Sequence, residues 1–187
     1  MIYYISDPHF GHANIIRLCS RPFDSVEEMD KVIMENWNLR VSNSDDIYIL
    51  GDLMFRNTRP PEYYLERLKG RKHLMVGNHD RSWMKDFDAA KYFESIDNLL
   101  YIVDEGRQVV MCHYPMMTWP HAKRCFMVFG HIHNNVDADY WPLIERSELM
   151  LNAGVEVNGY MPVTLDEMKE RNAVFKEKAA ESGRQLR

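Results

Sequence analysis

Asp7, His9, Asp52, Asn78, His113, His131 and His133 could bind metal, and they fall in five short blocks. The blocks are Asp7-Pro8-His9, Gly51-Asp52, Gly77-Asn78-His79-Asp80, His113 and Gly130-His131-Ile132-His133. Carboxylates, imidazoles and one amide oxygen make a mixed donor set that suits divalent first-row transition metals. One ion takes about four to six ligands, whereas two ions roughly 3.5–4 Å apart, sharing a carboxylate, would use the whole set. Asp52 is the natural bridge. The chemistry in view is metal-assisted hydrolysis, with a pair of ions lowering the pKa of a shared water. Each block alone has an ordinary meaning: His-x-His occurs in cores, and Asp-Pro and Gly-Asn are common turns. The five together, in order, do not.

The elements that must position these residues come next. Each block ends or directly follows a short apolar run that reads as a strand, at 2–5, 47–50, 73–76, 109–112 and 126–129. Side chains just past the carboxyl ends of parallel strands converge on one rim, so the five blocks are expected to share a pocket. In an extended segment, residues i and i+2 face one side, which lets Asp7 act with His9 and His131 with His133. Between the strands, Ser25 and Glu28 have capping-box spacing, and Val26, Met29, Ile33 and Trp37 continue a helical stripe to about 39. That stripe is expected in the core. A helix with Pro at its first turn is expected at 61–68, and a weaker one from 82 to about 92. The second half reads as strands at 99–103, 109–112, 126–129 and 149–157 with little helix between them. Thr164 and Glu167 have capping-box spacing before a charged surface helix, which spans about 164–180 with its cap.

The ordered series Asp-x-His, Gly-Asp, Gly-Asn-His-Asp, His and Gly-His-x-His resembles the calcineurin-like metallophosphoesterase superfamily over residues 5–133. Similarity to its small bacterial and phage-type members extends through Phe10-Gly11-His12, Arg21-Pro22-Phe23, His113-Tyr114-Pro115 and Asn152-Ala153-Gly154-Val155-Glu156. The resemblance implies an α/β fold, a four-layer αββα sandwich of two mixed sheets flanked by helices. It assigns Asp7, His9, Asp52 and His133 to one ion, and Asp52, Asn78, His113 and His131 to the other. His79 matches the family histidine that stabilises the transition state or protonates the leaving oxygen. Asp80 either orients His79 or closes the turn. Phe55 stands where purple acid phosphatases carry a tyrosine, which disfavours a ferric site. The stretch from Gly51 to Arg56 lacks the Val-Asp-Arg-Gly run of the protein Ser/Thr phosphatases.

Substrate selection is expected from the segments that follow the ligand blocks, at 10–12, 55–59 and 114–124, with His12, Arg56, Arg81 and Trp119 as candidate contacts. Manganese is the favoured metal, with iron, zinc, nickel and cobalt as alternatives. The expected substrate is a small phosphodiester or a nucleotide. A phosphomonoesterase and a non-catalytic metal-binding module are the competing readings. A module is expected to have lost ligands, and this chain keeps the whole set.

Composition sets the remaining expectations. A chain of 187 residues fits a single catalytic domain, and a homo-oligomer is compatible with it. No apolar run approaches the roughly 18 residues of a membrane span, and no secretory signal is expected. Three cysteines without a Cys-x-x-Cys pair suggest neither a disulfide framework nor a zinc ribbon, so a cytoplasmic location is expected. The net charge of -5, with basic residues scattered among acidic ones, argues against binding a long nucleic-acid duplex.

Overall fold

Near-continuous apolar runs become strands that are buried on both faces. The computed structural model describes residues 1–56 and 59–185. Asn57 and Thr58, within the expected rim segment 55–59, lie outside them. Two four-stranded sheets stand at the centre. The first contains β1 (Ile2–Ile5), β2 (Asp46–Ile49), β3 (Arg71–Met75) and β4 (Ser95–Asp97), in that order and all parallel. The second contains β5 (Leu99–Asp104), β6 (Arg107–Cys112), β7 (Phe126–Phe129) and β8 (Met150–Asn152). Its β5 runs antiparallel to β6, and the other neighbours are parallel.

The side-chain period of two sorts these strands into three apolar layers. Tyr3, Ile5, Ile47, Ile49 and Leu74 point outward to α1 (Ala13–Leu18), α2 (Val26–Arg40) and α3 (Pro61–Leu65). Their alternates Tyr4, Tyr48 and Met75 meet Val109, Met111, Phe126 and Val128 between the sheets. Val110, Met127 and Phe129 face outward again, onto Trp119 and α5 (Trp141–Arg146). The result is the αββα sandwich, with the first sheet wholly parallel rather than mixed as expected and only the second sheet mixed. α7 (Leu165–Gln185) sets Leu165 and Met168 into the layer between the sheets and Phe175 against the outer cluster.

The stripe on α2 does what its spacing predicts. Met29, Ile33 and Trp37 are fully buried, and the Ser25 hydroxyl accepts from the Glu28 N–H at 3.1 Å. Truncating Trp37 to alanine would cost about 3–5 kcal/mol by the usual core-aromatic scale.

Several elements differ from expectation. The expected strand 149–157 stops at Asn152 because the Asn152 side chain takes the Gly154 N–H at 2.8 Å, an Asx-type turn that starts α6 (Val155–Asn158). The expected helix 61–68 ends at Leu65. The helix expected from 82 is instead α4 (Asp80–Met84), followed by a 3-10 turn at Ala89–Lys91. The helices α1, α5 and α6 and the strand β4 were not anticipated, because elements this short show almost no periodicity. Among the described residues, no helix is long and apolar enough to cross a membrane.

Candidate metal centre

β1 ends where the two sheets join. The Ser6 N–H donates to Ala153 O at 2.9 Å, across to the second sheet, and the Ser6 hydroxyl donates to Leu50 O at 2.7 Å within the first. Beyond that junction the blocks bond directly to one another. Asp7 N–H reaches Gly51 O, His9 N–H reaches Asp52 O, Gly130 N–H reaches His113 O, and His131 N–H reaches the Asp7 carboxylate. The convergence expected from strand ends is therefore built by backbone hydrogen bonds.

Two donor sets result. Asp7, His9 and His133 have ligand atoms within 4.8 Å of one another, and so do Asp52, His113 and His131. Asp52 Oδ2 lies between the sets, 3.6 Å from His9 Nε2 and 3.5 Å from His113 Nε2. Asn78 Oδ1 is 3.1 Å from the same His113 nitrogen. Donors sharing an ion at about 2.1 Å stand roughly 3–4 Å apart, so these spacings suit coordination.

The donor atoms also behave like ligands. Asp7 and His9 are 0% and 1% exposed, and among the described residues Asp7 Oδ1 and both His9 ring nitrogens have no hydrogen-bond partner. Leaving such buried groups unpaired costs about 1–3 kcal/mol each. Burial pushes the Asp7 carboxyl above its ordinary range and His9 well below its own. A divalent cation at this point would satisfy Asp7 Oδ1 and His9 Nε2, the nitrogen that faces Asp7 and Asp52, and would favour the ionised carboxylate. The residues present fit the metal pair that the motif series implies.

Asp7, His9, Asp52, His131 and His133 all have positive φ, between 49° and 69°. Non-glycine residues rarely sit there, and such conformations cluster at functional sites because they hold side chains in one orientation. This corrects the expected extended geometry: the i, i+2 pairs share a side through left-handed turns rather than through a strand's pleat. Two glycines are fixed by the same crowding. A Cβ on Gly77 would lie 2.3 Å from Asp52 Oδ1, and one on Gly130 would lie 2.5 Å from Asp7 Oδ2.

Surrounding groups lock the ligands. The Asp80 carboxylate accepts from the N–H groups of Asp52, Leu53 and Gly77 and from the Trp83 indole, all within 2.9 Å. It therefore closes the two loops and does not orient the His79 ring. His113 Nδ1 faces Leu50 O at 2.7 Å, which leaves Nε2 for the site. Asp52 is pushed up by burial, but its bonding to His113 outweighs this and the net shift is downward. His133 Nδ1 is 3.0 Å from Glu156 Oε1, and Glu156 is in turn held by Arg21. Burial would raise Glu156, yet His133 and Arg21 hold it down at about 2. Cys19, His133 and Glu156 also form a group of potential donors, but the Arg21 guanidinium already occupies Glu156. Sequence reasoning quoted Arg21 and Glu156 as motif letters and gave them no role, since nothing local links positions 135 residues apart.

The remaining candidates divide between two separate hollows and the outer core. His79 has Nε2 3.9 Å from Asp52 Oδ2 and its ring against His9 and Phe55, and its backbone N–H holds Asp52 Oδ1. His12 is buried beside His9, His79 and Phe55, and its side chain makes no helix-cap bond. With the exposed Arg56, stacked over Phe55, these residues line a cleft of about 920 Å³ that also includes Asn134, Val136 and Tyr140. Arg81 lies outside that cleft, lining a separate hollow of about 450 Å³ with Asn78, Asn98 and Tyr114. Trp119 lies in neither. Its indole packs in the outer core and donates to Cys125 O at 2.8 Å, so it has no free face for a substrate.

No protein-family model matches the chain. The uncharacterized protein MJ1445 of Methanocaldococcus jannaschii is 36% identical over 167 residues, which span 88% of this chain and 87% of that protein. Among solved structures, the protein of unknown function AQ665 from Aquifex aeolicus is 29% identical, with a TM-score of 0.69 over 91% of this chain and 98% of its own. A protein described as a novel archaeal phosphodiesterase is 17% identical, with a TM-score of 0.46 over 89% of this chain and 94% of its own. That likeness is too distant to carry a function across.

Proposed function

We propose that this chain, which belongs to one family with MJ1445, is a calcineurin-like metallophosphoesterase that hydrolyses a small phosphodiester with two divalent transition-metal ions, a reading supported by the five ordered blocks gathered at its sheet rim. The observation that carries this reading is the place of Asp52 Oδ2, within 3.6 Å of a nitrogen from each donor set. Ions held by Asp7, His9, His133, Asp52, Asn78, His113 and His131 would supply Lewis-acid charge for a phosphoryl oxygen and would bring the pKa of water toward neutrality.

The chain's own residues do the rest. Asp52 holds both positions in register. His79, beside Asp52 and partly open to the cleft, donates a hydrogen bond or proton to the ester oxygen that departs. Phe55 and His9 fix the plane of its ring. A diester carries a substituent on each side of phosphorus, and the two separate hollows that include donor residues offer a place to each. His12 and Arg56 would meet one substituent and Arg81 the other. Residues 1–187 act as one catalytic domain. Three free cysteines support a reducing, cytoplasmic setting.

The test is metal content together with parallel assay of bis-p-nitrophenyl phosphate and p-nitrophenyl phosphate in Mn²⁺. Two ions per chain and faster diester cleavage are expected. Asp52→Asn should weaken binding of both ions and abolish turnover. One ion per chain, or near-normal turnover in Asp52→Asn, overturns the bridge; faster monoester cleavage makes the protein a phosphomonoesterase.

A further inference from the structure

A buried ion pair reaches the metal centre from one side only. Arg21 has a fully buried side chain, and its Nε and Nη2 donate to Glu156 Oε1 at 2.9 and 2.6 Å. The same guanidinium donates from Nη2 to Asp7 O at 2.7 Å and from Nη1 to Pro8 O at 2.8 Å. Glu156, itself 2% exposed at the side chain, then faces His133 Nδ1 at 3.0 Å. One cation thus ties together the loop that carries Asp7 and His9 and the carboxylate that holds His133. A carboxylate on the far nitrogen of a ligating histidine fixes the tautomer, turns the other nitrogen to the metal and raises its basicity.

Among the described residues, nothing gives the second donor set this support. Its His113 is held at Nδ1 by the neutral carbonyl of Leu50. Asn78 and His131 are exposed at the rim, whereas Asp7 and His9 are buried. The first set has a carboxylate of its own in Asp7, and the second has only the shared Asp52. Charge, burial and outer contacts all favour the same position.

We infer that the two ion positions are unequal: the Asp7, His9 and His133 position is tight, Glu156 clamped by Arg21 is the positioning residue that makes it tight, and the Asn78, His113 and His131 position is readily exchanged. This rests on the two-ion reading above. The tight position fills first, and the weak one sets the metal concentration at which activity appears.

Calorimetric titration of the metal-free full chain with Mn²⁺ tests the inference without any substrate. Two separate binding steps are expected. Glu156→Gln keeps the shape of the side chain but removes its charge, and it should weaken the tight step about 10–100-fold while the weak step stays within a few-fold. Asn78→Ala should weaken the weak step alone. Melting of the metal-free variants separates positioning from folding, because a merely structural Glu156 lowers the melting temperature and weakens both steps together. Equal steps in the unmodified protein, or a Glu156→Gln that shifts both or neither, overturn the inference. A stoichiometry below two ions is visible before any variant is made, and it removes the two-ion reading itself.

Discussion

His79 and Asn78 are neighbours with different work, and substitution can separate them. Asn78 Oδ1 points at the His113 nitrogen of the second donor set, whereas the His79 ring stands over His9 and reaches toward Asp52 without completing either set. His79→Ala should therefore leave both ions bound and lower kcat by about 10²–10⁴-fold, the range for a lost general acid or oxyanion donor. If His79 gives a proton, nitrophenyl esters should suffer less than alkyl esters, since a good leaving group needs none. Equal losses on both would point to charge stabilisation, and loss of metal from His79→Ala would make it a ligand. The donors themselves were legible in the sequence because only a few side-chain types bind transition metals. Glu156 and Arg21 were not, since a carboxylate acquires its role from the residue it lands beside. Trp119 carries the same lesson in reverse: an aromatic near a ligand block is more often core than wall, and its buried environment decides for core.

Elements were readable in proportion to their length. α2 has four turns, an apolar stripe and a cap, so its position followed from spacing, while six-residue helices such as α1 and α5 offered no pattern to detect. α7 was visible from its Thr164 and Glu167 box, but the buried face that it presents to β8 was not. That docking contains a group with a distinct pH signature. Lys176 donates to Ser147 O and Met150 O at 2.6 and 2.7 Å, and burial pulls its pKa from the ordinary 10.5 to about 8. A lysine whose folded pKa is depressed binds fewer protons folded than unfolded between those values, so it makes stability rise with pH across that window. Below pH 8 both states are protonated and the penalty is constant. Compared with Lys176→Met, the unmodified protein should gain stability from pH 8 to 10.5 with a slope of at most about 1.4 kcal/mol per pH unit. Denaturant melts at pH 7.5, 9 and 10 measure this difference. A constant difference across those points would mean that Lys176 is not desolvated as the α7 docking requires.

The molecule as a whole is two sheets joined at one seam, and the candidate metal centre lies on that seam. Which strand neighbours which, and that Ser6 would bridge to Ala153, could not be read from periodicity; the resemblance supplied the sandwich, and the register supplies the reason. The first set takes His133 from the second sheet and the second takes His113 and His131 from it, while Asp7, His9, Asp52 and Asn78 follow strands of the first. Ions held across a seam stabilise the packing of its two sides, and the unfolded chain has no assembled set to bind them. Binding to the folded state alone adds RT ln(1 + [L]/Kd), about 2.7 kcal/mol when free metal is 100 times the dissociation constant. For a chain of this size each kcal/mol moves the melting temperature by roughly 2–4 °C, so excess Mn²⁺ should raise it by about 5–10 °C over chelator-treated protein. The net charge of -5 adds to the effect, because the ions neutralise carboxylates that repel one another in the metal-free fold. Asp52→Asn should lose most of this gain, since it weakens both positions at once. Glu156→Gln should lose it at low metal and recover it at high metal, because only its tight step is shifted. An identical melting temperature with and without metal in the unmodified protein would mean that the donor sets do not bind ions across the seam.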